Sequence, residues 1–235
     1  MAPHRSCPGG RVRRVRHLPG ILPVVSTVVV VAGGPDRPTI ISLPLGARVI
    51  AADGGVELAR ELGLQVDLAV GDFDSVSEET LGAIGRVERH PASKEATDLE
   101  LALGAALALE PERIVVLGGA GGRLDHLLGE LLLLAADAYA GVRVDAQLGA
   151  AAVHVVRGER TLRGEPGELI SLFAVHGRAT GVVTEGLVYA LRGERLEPGS
   201  SRGLSNVFAA PEARIGLERG VLLAVRPSGS VSAGS

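Results

Sequence analysis

The sequence is poor in aromatic side chains and in cysteine. Its 235 residues include three phenylalanines, two tyrosines and no tryptophan, so that aromatics make up 2% of the chain. We therefore expect an aliphatic core, in which an aromatic residue near a ligand site is a candidate for stacking on that ligand. The single cysteine, Cys7, excludes an internal disulfide framework and a thiolate metal cluster, and it fits a reducing cytoplasm.

Long apolar runs and an excess of one charge are also missing. The longest apolar stretches, such as Leu127 to Ala136 with Glu130 inside it, are too short to cross a bilayer. The 24 basic and 27 acidic residues nearly balance, so no strong field points to nucleic acid or to a membrane surface. We expect a soluble protein whose partners are small molecules.

The ends of the chain differ in composition from its centre. Residues 1–23 carry several arginines among prolines and glycines, without the apolar region of a secretory signal. This segment is predicted to be a disordered extension, and the residues 229–235, rich in serine and glycine, are predicted to be a flexible tail. The structured part is expected to comprise two regions, residues 24–149 and 150–228.

The first region alternates buried β-branched runs with helical segments, which predicts a parallel sheet covered on both faces. The predicted strands are Val24–Ala32, Val49–Ala52, Val66–Val70, a short one at Val87, and Ile114–Leu117. The predicted helices are Val56–Leu62, a short one opened by Ser77, Asp98–Leu109 capped by Thr97, and Leu124–Ala138.

The second region consists of short apolar segments separated by turns, which indicates an antiparallel β-sandwich or barrel. The predicted strands are Val153–Val156, Leu169–Val175, Ala179–Val183, Leu187–Leu191 and Val221–Val225. Turns at Arg157–Glu159 and His176–Arg178 are predicted to form hairpins.

The stretch Gly71-Asp72-Phe73-Asp74-Ser75 follows the third predicted strand. If the strand geometry continues, Asp72 and Asp74 share one face and Phe73 turns into the packing. Two carboxylates held this close are tolerable when a divalent cation neutralises them, and Mg²⁺ prefers such oxygen ligands together with substrate phosphates. The alternative is an Asx-turn that only ends the strand.

Other strand ends carry polar or glycine-rich motifs, and ligands of parallel sheets bind beyond the carboxyl ends of the strands. The motif Asp53-Gly54-Gly55 is one, although it is also a plain turn signal. Another is Gly118–Gly122, which matches neither a P-loop nor a dinucleotide fingerprint but exposes backbone amides that suit phosphate. These ends are expected to meet in one crevice.

Charged residues accompany these motifs. Lys94, Thr97 and Asp98 lie in a strand-to-helix loop, where Asp98 is either a third metal-site carboxylate or a helix-start acid. After the glycine run come Arg123, Asp125 and His126. Arg123 is a candidate phosphate ligand or the partner of Asp125 in a local ion pair, and His126 is more simply a structural histidine than a metal ligand.

Two motifs of the second region suggest a pocket for a heteroaromatic ligand. Tyr189 is the one aromatic among aliphatics in Gly186-Leu187-Val188-Tyr189, and Ser205-Asn206 follows a glycine-containing loop. The ring of Tyr189 would stack on the ligand while Asn206 donates and accepts hydrogen bonds at the edge of the ligand ring. The alternative is a core tyrosine and an ordinary turn.

In this order, the segments resemble the thiamine pyrophosphokinase (thiamine diphosphokinase) family. The resemblance covers about residues 24–226 and is carried by Ala52-Asp53-Gly54-Gly55, Gly71-Asp72-Phe73-Asp74-Ser75, Lys94-Glu95-Ala96-Thr97-Asp98-Leu99, Gly122-Arg123-Leu124-Asp125-His126, Gly186-Leu187-Val188-Tyr189 and Ser205-Asn206-Val207-Phe208.

The resemblance implies an N-terminal parallel-sheet α/β nucleotide-binding domain followed by a C-terminal antiparallel β-sandwich, in a homodimer with active sites between subunits. It implies that ATP and thiamine give AMP and thiamine diphosphate, with Mg²⁺ as cofactor. The catalytic and metal-binding residues would be Asp72, Asp74 and Asp98. The ATP side would comprise Asp53, Gly54, Lys94, Thr97, Arg123, Asp125 and His126, and the thiamine side Tyr189, Ser205 and Asn206.

Two positions depart from the family pattern. The family often has a lysine where Val188 stands and an asparagine where Glu130 stands, which leaves altered nucleotide contacts open. Two other functions fit the motifs: a related diphosphokinase acting on a pterin alcohol, and a non-catalytic thiamine or nucleotide sensor. Intact carboxylates argue against the sensor, because clustered acids repel each other without a metal.

Overall fold

The computed structural model describes residues 26–39, 43–229 and 231. The expected N-terminal extension, with Cys7, lies outside the described residues, as do Val24 of the first predicted strand and most of the expected C-terminal tail. Within the described residues, no helix combines the length and the hydrophobicity that a membrane span requires.

The first region is a parallel sheet. Its strands are β1 (Thr27–Val31), β2 (Arg48–Ala52), β3 (Leu68–Gly71), β4 (Val87–Arg89), β5 (Arg113–Gly118) and β6 (Arg143–Leu148). They lie in the order β4-β3-β2-β1-β5-β6, and every neighbouring pair is parallel. The predicted parallel pairing is therefore confirmed, and β6 is a strand that the sequence pattern did not predict.

In the part of the chain that the structure describes, four helices cover this sheet: α1 (Gly55–Glu61), α2 (Glu78–Gly82), α3 (Asp98–Leu107) and α4 (Leu124–Leu134). The predicted cap of α3 is present, because Thr97 Oγ1 accepts a hydrogen bond from the Glu100 N–H at 3.2 Å. Buried residues of α3 and α4 pack on one face of the sheet and those of α1 on the other. Helix α4 is shorter than predicted, since it ends at Leu134 before a separate 3₁₀ turn at Asp137–Tyr139.

The second region is antiparallel. Its strands are β7 (Ala151–Val156), β8 (Glu159–Arg163), β9 (Leu169–Glu185), β10 (Arg192–Leu196), β11 (Asn206–Val207), β12 (Glu212–Gly216) and β13 (Arg219–Arg226). Because β7 pairs with β6, the two regions join in one mixed sheet of 13 strands. The beginning of β9 pairs with β11 and β13, and its end pairs with β10 and β12.

Both predicted hairpins are wrong. His176 and Gly177 have φ of 58° and 142°, yet β9 continues through them as one strand of 17 residues. At Arg157–Glu159 the chain passes from β7 to β8, but β8 pairs with β12 and β7 with β6 and β13. The prediction of a strand at Leu187–Leu191 is also wrong, because only an isolated bridge from Leu187 to Phe208 forms there.

Candidate functional site

A cleft of about 730 Å³ lies at the carboxyl ends of the parallel strands, beside the first turns of α3 and α4. Its lining includes backbone of two glycine-rich loops, Gly33–Pro35 and Gly119–Gly122. The charged and polar lining residues are Asp53, Asp72, Lys94, Thr97, Asp98, Glu100, Arg123, Asp125, His126 and Glu130. The structure thus brings to one cleft every residue predicted for the ATP side, together with Asp72 and Asp98.

Two glycines allow the strand ends beneath the cleft to approach each other. A Cβ on Gly55 would lie 2.0 Å from the carbonyl oxygen of Val31, and a Cβ on Gly71 would lie 3.0 Å from the Cα of Asp53. Side chains at these positions would separate α1 from β1, or β3 from the end of β2. The glycines of both motifs therefore have a packing role in addition to any contact with a ligand.

The carboxylates of Asp53, Asp72 and Asp74 converge, with ligand oxygens that all lie within 4.8 Å of one another. The parallel register of β2 and β3 pairs Ala52 with Val70, so Asp53 follows one strand where Gly71 and Asp72 follow its neighbour. Hard oxygen donors at this spacing match the ligand preference of Mg²⁺. The arrangement can hold a divalent cation.

The backbone reaches this arrangement through a turn and not through the strand geometry expected from the sequence. Strand β3 ends at Gly71, and Phe73 has a φ of 56°. Its ring is buried as predicted, with the Arg89 guanidinium 5.6 Å from the ring centroid. Asp72 Oδ1 accepts a hydrogen bond from the Asp74 N–H at 3.4 Å, so an Asx-type turn brings the two carboxylates together.

Asp53 is the residue of this cluster that sequence reasoning did not assign to a metal. Burial raises the pKa of the Asp53 carboxyl above its usual range, and the nearby charges of Asp98 and Asp72 raise it further. Hydrogen bonds from the backbone of Gly54 and Phe73 act in the opposite direction. The proximity of Asp53 to Asp72 could have been inferred from the parallel register of β2 and β3. That register is known only once the two strands are paired.

Asp98 is not one of the three carboxylates whose oxygens converge within 4.8 Å, although its charge acts on Asp53. Its Oδ1 lies 2.6 Å from Lys94 Nζ, and both residues are partly buried. The pair joins the loop before α3 to the first residue of the helix and fixes the lysine ammonium at the cleft wall. Asp98 is therefore in a position to orient Lys94.

The glycine run after β5 contacts the loop after β1 through backbone atoms. A Cβ on Gly119 would lie 2.6 Å from the carbonyl carbon of Gly34, and a Cβ on Gly121 would lie 2.8 Å from Asp36 Oδ2. A side chain at position 119 would therefore push the two loops apart, whereas one at position 121 would meet only side-chain atoms of Asp36 and Pro35. The same feature leaves the backbone of both loops at the cleft surface.

The start of α4 carries an exposed ion pair. Arg123 donates two hydrogen bonds to Asp125, at 3.2 and 2.6 Å, and this contact lowers the pKa of the Asp125 carboxyl. One turn further, burial raises the pKa of the Glu130 carboxyl, while the charge of His126 opposes this effect. These four residues form one wall of the cleft.

The residues predicted for the thiamine side lie elsewhere. Tyr189 and Asn206 line a separate pocket of about 350 Å³ that shares no lining residue with the cleft. Ser205 is exposed, with a φ of 52°, and its N–H donates to Ser171 Oγ at 3.0 Å. Asn206 is buried and its side-chain amide bonds to the backbone of Tyr189.

Comparison with known proteins accounts for both regions. Residues 46–144 match the thiamin pyrophosphokinase catalytic domain, and residues 153–222 match the thiamin pyrophosphokinase vitamin B1 binding domain. The chain belongs to the thiamin pyrophosphokinase family. All cleft residues from Asp53 onwards fall in the first family domain, and Tyr189, Ser205 and Asn206 fall in the second.

Individual members of the thiamin pyrophosphokinase family agree with this assignment. A thiamine pyrophosphokinase of Bacillus subtilis strain 168 is 34% identical over 131 residues, which cover 53% of this chain and 59% of that protein. The crystal structure of a B. subtilis thiamine pyrophosphokinase superposes with a TM-score of 0.75 at 26% identity, covering 87% of this chain and 100% of that one. The crystal structure of a thiamin pyrophosphokinase family protein from Enterococcus faecalis superposes with a TM-score of 0.73 at 28% identity. The match covers 88% of this chain and 100% of that one.

Proposed function

We propose that this chain is a thiamine diphosphokinase, which transfers the pyrophosphoryl group of ATP to the hydroxyl of thiamine and releases AMP. The observation that carries the proposal is the convergence of three carboxylates within 4.8 Å, two of which, Asp53 and Asp72, line the cleft that also holds Lys94 and Arg123. Family membership and the similarity to a thiamine pyrophosphokinase of B. subtilis support the substrate assignment.

Residues 24–149 constitute the ATP-binding catalytic domain, and residues 150–228 constitute a thiamine-binding β-sandwich. The limits of the two family matches support this division. A second hydrophobic core formed only by residues of the antiparallel strands and their connections supports it as well. The enzyme acts in the cytoplasm, as the scarcity of cysteine suggests.

Asp72 and Asp74 hold Mg²⁺, and Asp53 is the third carboxylate. When bound there, the cation neutralises charge on the phosphate oxygens of ATP. The carboxylate oxygens fit this ion by their chemistry and their mutual spacing. Asp98 contributes by holding Lys94, whose ammonium faces the phosphates.

The remaining groups of the ATP side bind and orient the nucleotide. Arg123, held by Asp125, presents its guanidinium to phosphate oxygens, and the amides of the glycine loops do the same. Gly54 has no side chain and gives the polyphosphate close access to the backbone. Thr97 caps the start of α3, and His126 lines the same cleft.

The reaction joins the hydroxyl oxygen of thiamine to the β-phosphorus of ATP. The bond from that phosphorus to the oxygen bridging it to the α-phosphorus breaks, AMP leaves with the bridging oxygen, and the hydroxyl proton passes to the solvent. Positioning and charge neutralisation supply most of the catalysis in such a transfer. Because a loose transition state needs little base assistance, no side chain is assigned as a general base.

The active unit is a homodimer in which the cleft of one subunit faces the Tyr189 pocket of the other. The separation of the two pockets in one chain supports this arrangement. So does an apolar stripe on α4, where Leu124, Leu128 and Leu132 are 78%, 56% and 37% exposed. The stripe runs along the helix that lines the cleft, so a second copy covering it would border the active site.

An acceptor comparison tests the proposed function. The purified chain is incubated with ATP and Mg²⁺, and with thiamine, a pterin alcohol or no acceptor. AMP formed when thiamine is the acceptor, and not in the other two reactions, would support the proposal. AMP formed only with the pterin alcohol would reassign the acceptor, and no AMP under any condition would favour a binding protein without catalysis.

A further inference from the structure

The side chain of Asn206 forms two hydrogen bonds with the backbone of Tyr189. Its Oδ1 accepts from the Tyr189 N–H at 3.0 Å, and its Nδ2 donates to the Tyr189 carbonyl at 2.8 Å. Oδ1 also accepts from the N–H of Val207 at 2.9 Å. Both acceptor sites of the amide oxygen are thereby used for protein backbone.

This amide takes the place of a neighbouring strand. A primary amide presents a C=O and an N–H in one plane, as a peptide group does, and it can therefore satisfy both backbone groups of a residue that has no ladder partner. Tyr189 lies outside every strand, between an isolated bridge at Leu187 and the start of β10. Asn206 supplies the pairing that the missing strand would supply.

The two residues differ sharply in exposure. Asn206 is 2% exposed, whereas Tyr189 is 61% exposed, and both residues line the pocket. An exposed ring on an irregular segment loses much of its stacking energy if the segment must be ordered when the ligand binds. A buried clamp on the backbone of Tyr189 removes that ordering cost in advance.

We propose that Asn206 is a positioning residue for the thiamine acceptor, which acts by fixing the backbone of Tyr189 and not by contacting the substrate. This inference rests on the proposed function and changes the role expected for Asn206 from the sequence. The ligand chemistry remains a flat heteroaromatic cation, which the ring of Tyr189 recognises by stacking.

The motion of Tyr189 can be measured directly because the chain has two tyrosines and no tryptophan. In a Tyr139→Phe background, which removes the buried tyrosine, fluorescence reports Tyr189 alone. We expect Asn206→Ala to lower the steady-state anisotropy of Tyr189 and to raise its quenching by acrylamide. The same variant should raise the KM for thiamine about tenfold or more and leave the KM for ATP unchanged.

Two comparisons separate positioning from a general loss of stability. Asn206→Asp keeps the acceptor for the Tyr189 N–H and removes the donor, so its effects should be intermediate. Thr184→Val removes another buried acceptor, which bonds the N–H of Leu191 at 2.9 Å, and should leave both the Tyr189 signal and the KM near wild type. Equal effects of Thr184→Val and Asn206→Ala would overturn the proposal.

A double-mutant cycle gives the sharpest test. If Asn206 acts through Tyr189, the thiamine KM of the Tyr189→Ala, Asn206→Ala double variant equals that of Tyr189→Ala alone. If the effects multiply, or if Asn206→Ala raises the KM while Tyr189 stays rigid, Asn206 contacts the substrate and the proposal is wrong. The fluorescence measurements need no turnover. A wild-type chain without activity would therefore refute the proposed function, while the effect of Asn206 on the mobility of Tyr189 could still be tested.

Discussion

The side chain of Asp53 accepts a hydrogen bond from the backbone N–H of Phe73 at 3.2 Å, and both residues have left-handed backbone, with φ of 42° and 56°. Such conformations are costly for residues other than glycine and are retained where the surrounding structure enforces them. The bond ties the turn after β2 to the turn after β3. It thereby holds Asp53 beside Asp72 and Asp74.

The first prediction concerns the identity of the third metal-site carboxylate. Asp53→Asn, Asp72→Asn and Asp74→Asn should each weaken binding of Mn²⁺, followed by electron paramagnetic resonance, by roughly tenfold or more, because a charged ligand is lost. Asn at position 53 retains an oxygen that can accept from Phe73. Asp98→Asn should weaken Mn²⁺ binding much less.

An exposed acid provides the control. The Asp137 side chain is 95% exposed and lies outside the carboxylate cluster, so Asp137→Asn should bind Mn²⁺ like the wild type. If Asp98→Asn abolished binding while Asp53→Asn bound normally, the assignment from the sequence would be right and the one from the structure wrong.

The second prediction compares two neighbouring glycines. Gly55→Ala places a methyl group against the carbonyl of Val31, whereas a Cβ on Gly54 has no heavy atom within 4 Å. Gly55→Ala should lower the free energy of unfolding by about 1–3 kcal/mol or more, as overpacking does. Gly54→Ala should change it little. Urea unfolding followed by circular dichroism measures both, and equal stability of the two variants would contradict the close approach of α1 and β1.

The third prediction concerns the homodimer. Leu128→Gln should shift the chain from dimer to monomer in light scattering, and it should reduce activity at low protein concentration, because it places a polar group in the apolar stripe of α4. Leu45→Gln, at a fully exposed residue in the connection between β1 and β2, is the matched control. A Leu128→Gln variant that remains dimeric would exclude the stripe as the interface.

The fourth prediction follows from a buried charge cluster on β5–β8. Asp145 lies 2.7 Å from Arg113, 2.8 Å from His154 and 2.5 Å from Arg160. Burial lowers the pKa of His154 below its usual range, and this effect outweighs the stabilisation of its charged form by Asp145. The charges of Arg160 and Arg226 act in the same direction as burial.

The sign of the pH dependence follows from linkage. Below about pH 6.5 an unfolded histidine binds a proton, and folded His154, with its lowered pKa, resists binding it. The contribution of His154 to stability is thus fully present above that pH and is lost as the pH falls. The free energy of unfolding of the wild type should decrease between about pH 7 and pH 5 by more than that of His154→Gln. If the free energy of unfolding fell equally with pH in the wild type and in His154→Gln, His154 would not titrate in this way.

Elements defined by local signals were predictable from the sequence. Helix α3 begins where Thr97 caps it and where Asp98 and Glu100 occupy its first turn, so its start follows from neighbouring residues. Strand β1 is an unbroken β-branched run, which marks a strand buried on both faces. The shared cleft followed from the rule that parallel strands present their carboxyl ends together.

Features that depend on distant partners were not predictable. Strand β6 contains the buried polar residues Asp145 and Gln147, which hide its strand character. Gln147 is satisfied by the backbone of Gly229 and Val231, more than 80 residues away. His176 and Gly177 resemble a turn locally, but they lie at a register shift of β9, and the pairing of Val175 and Thr180 with β13 on either side of them decides the outcome. The proximity of Asp53 to Asp72 likewise depends on strand register.

The most direct test of the central claim is the product ratio of the reaction. With ATP, Mg²⁺ and thiamine, ³¹P nuclear magnetic resonance should detect AMP and thiamine diphosphate in equal amounts, and Asp72→Asn should form neither while unfolding at the same urea concentration as the wild type. Formation of ADP with thiamine monophosphate, or full activity of Asp72→Asn, would contradict the account.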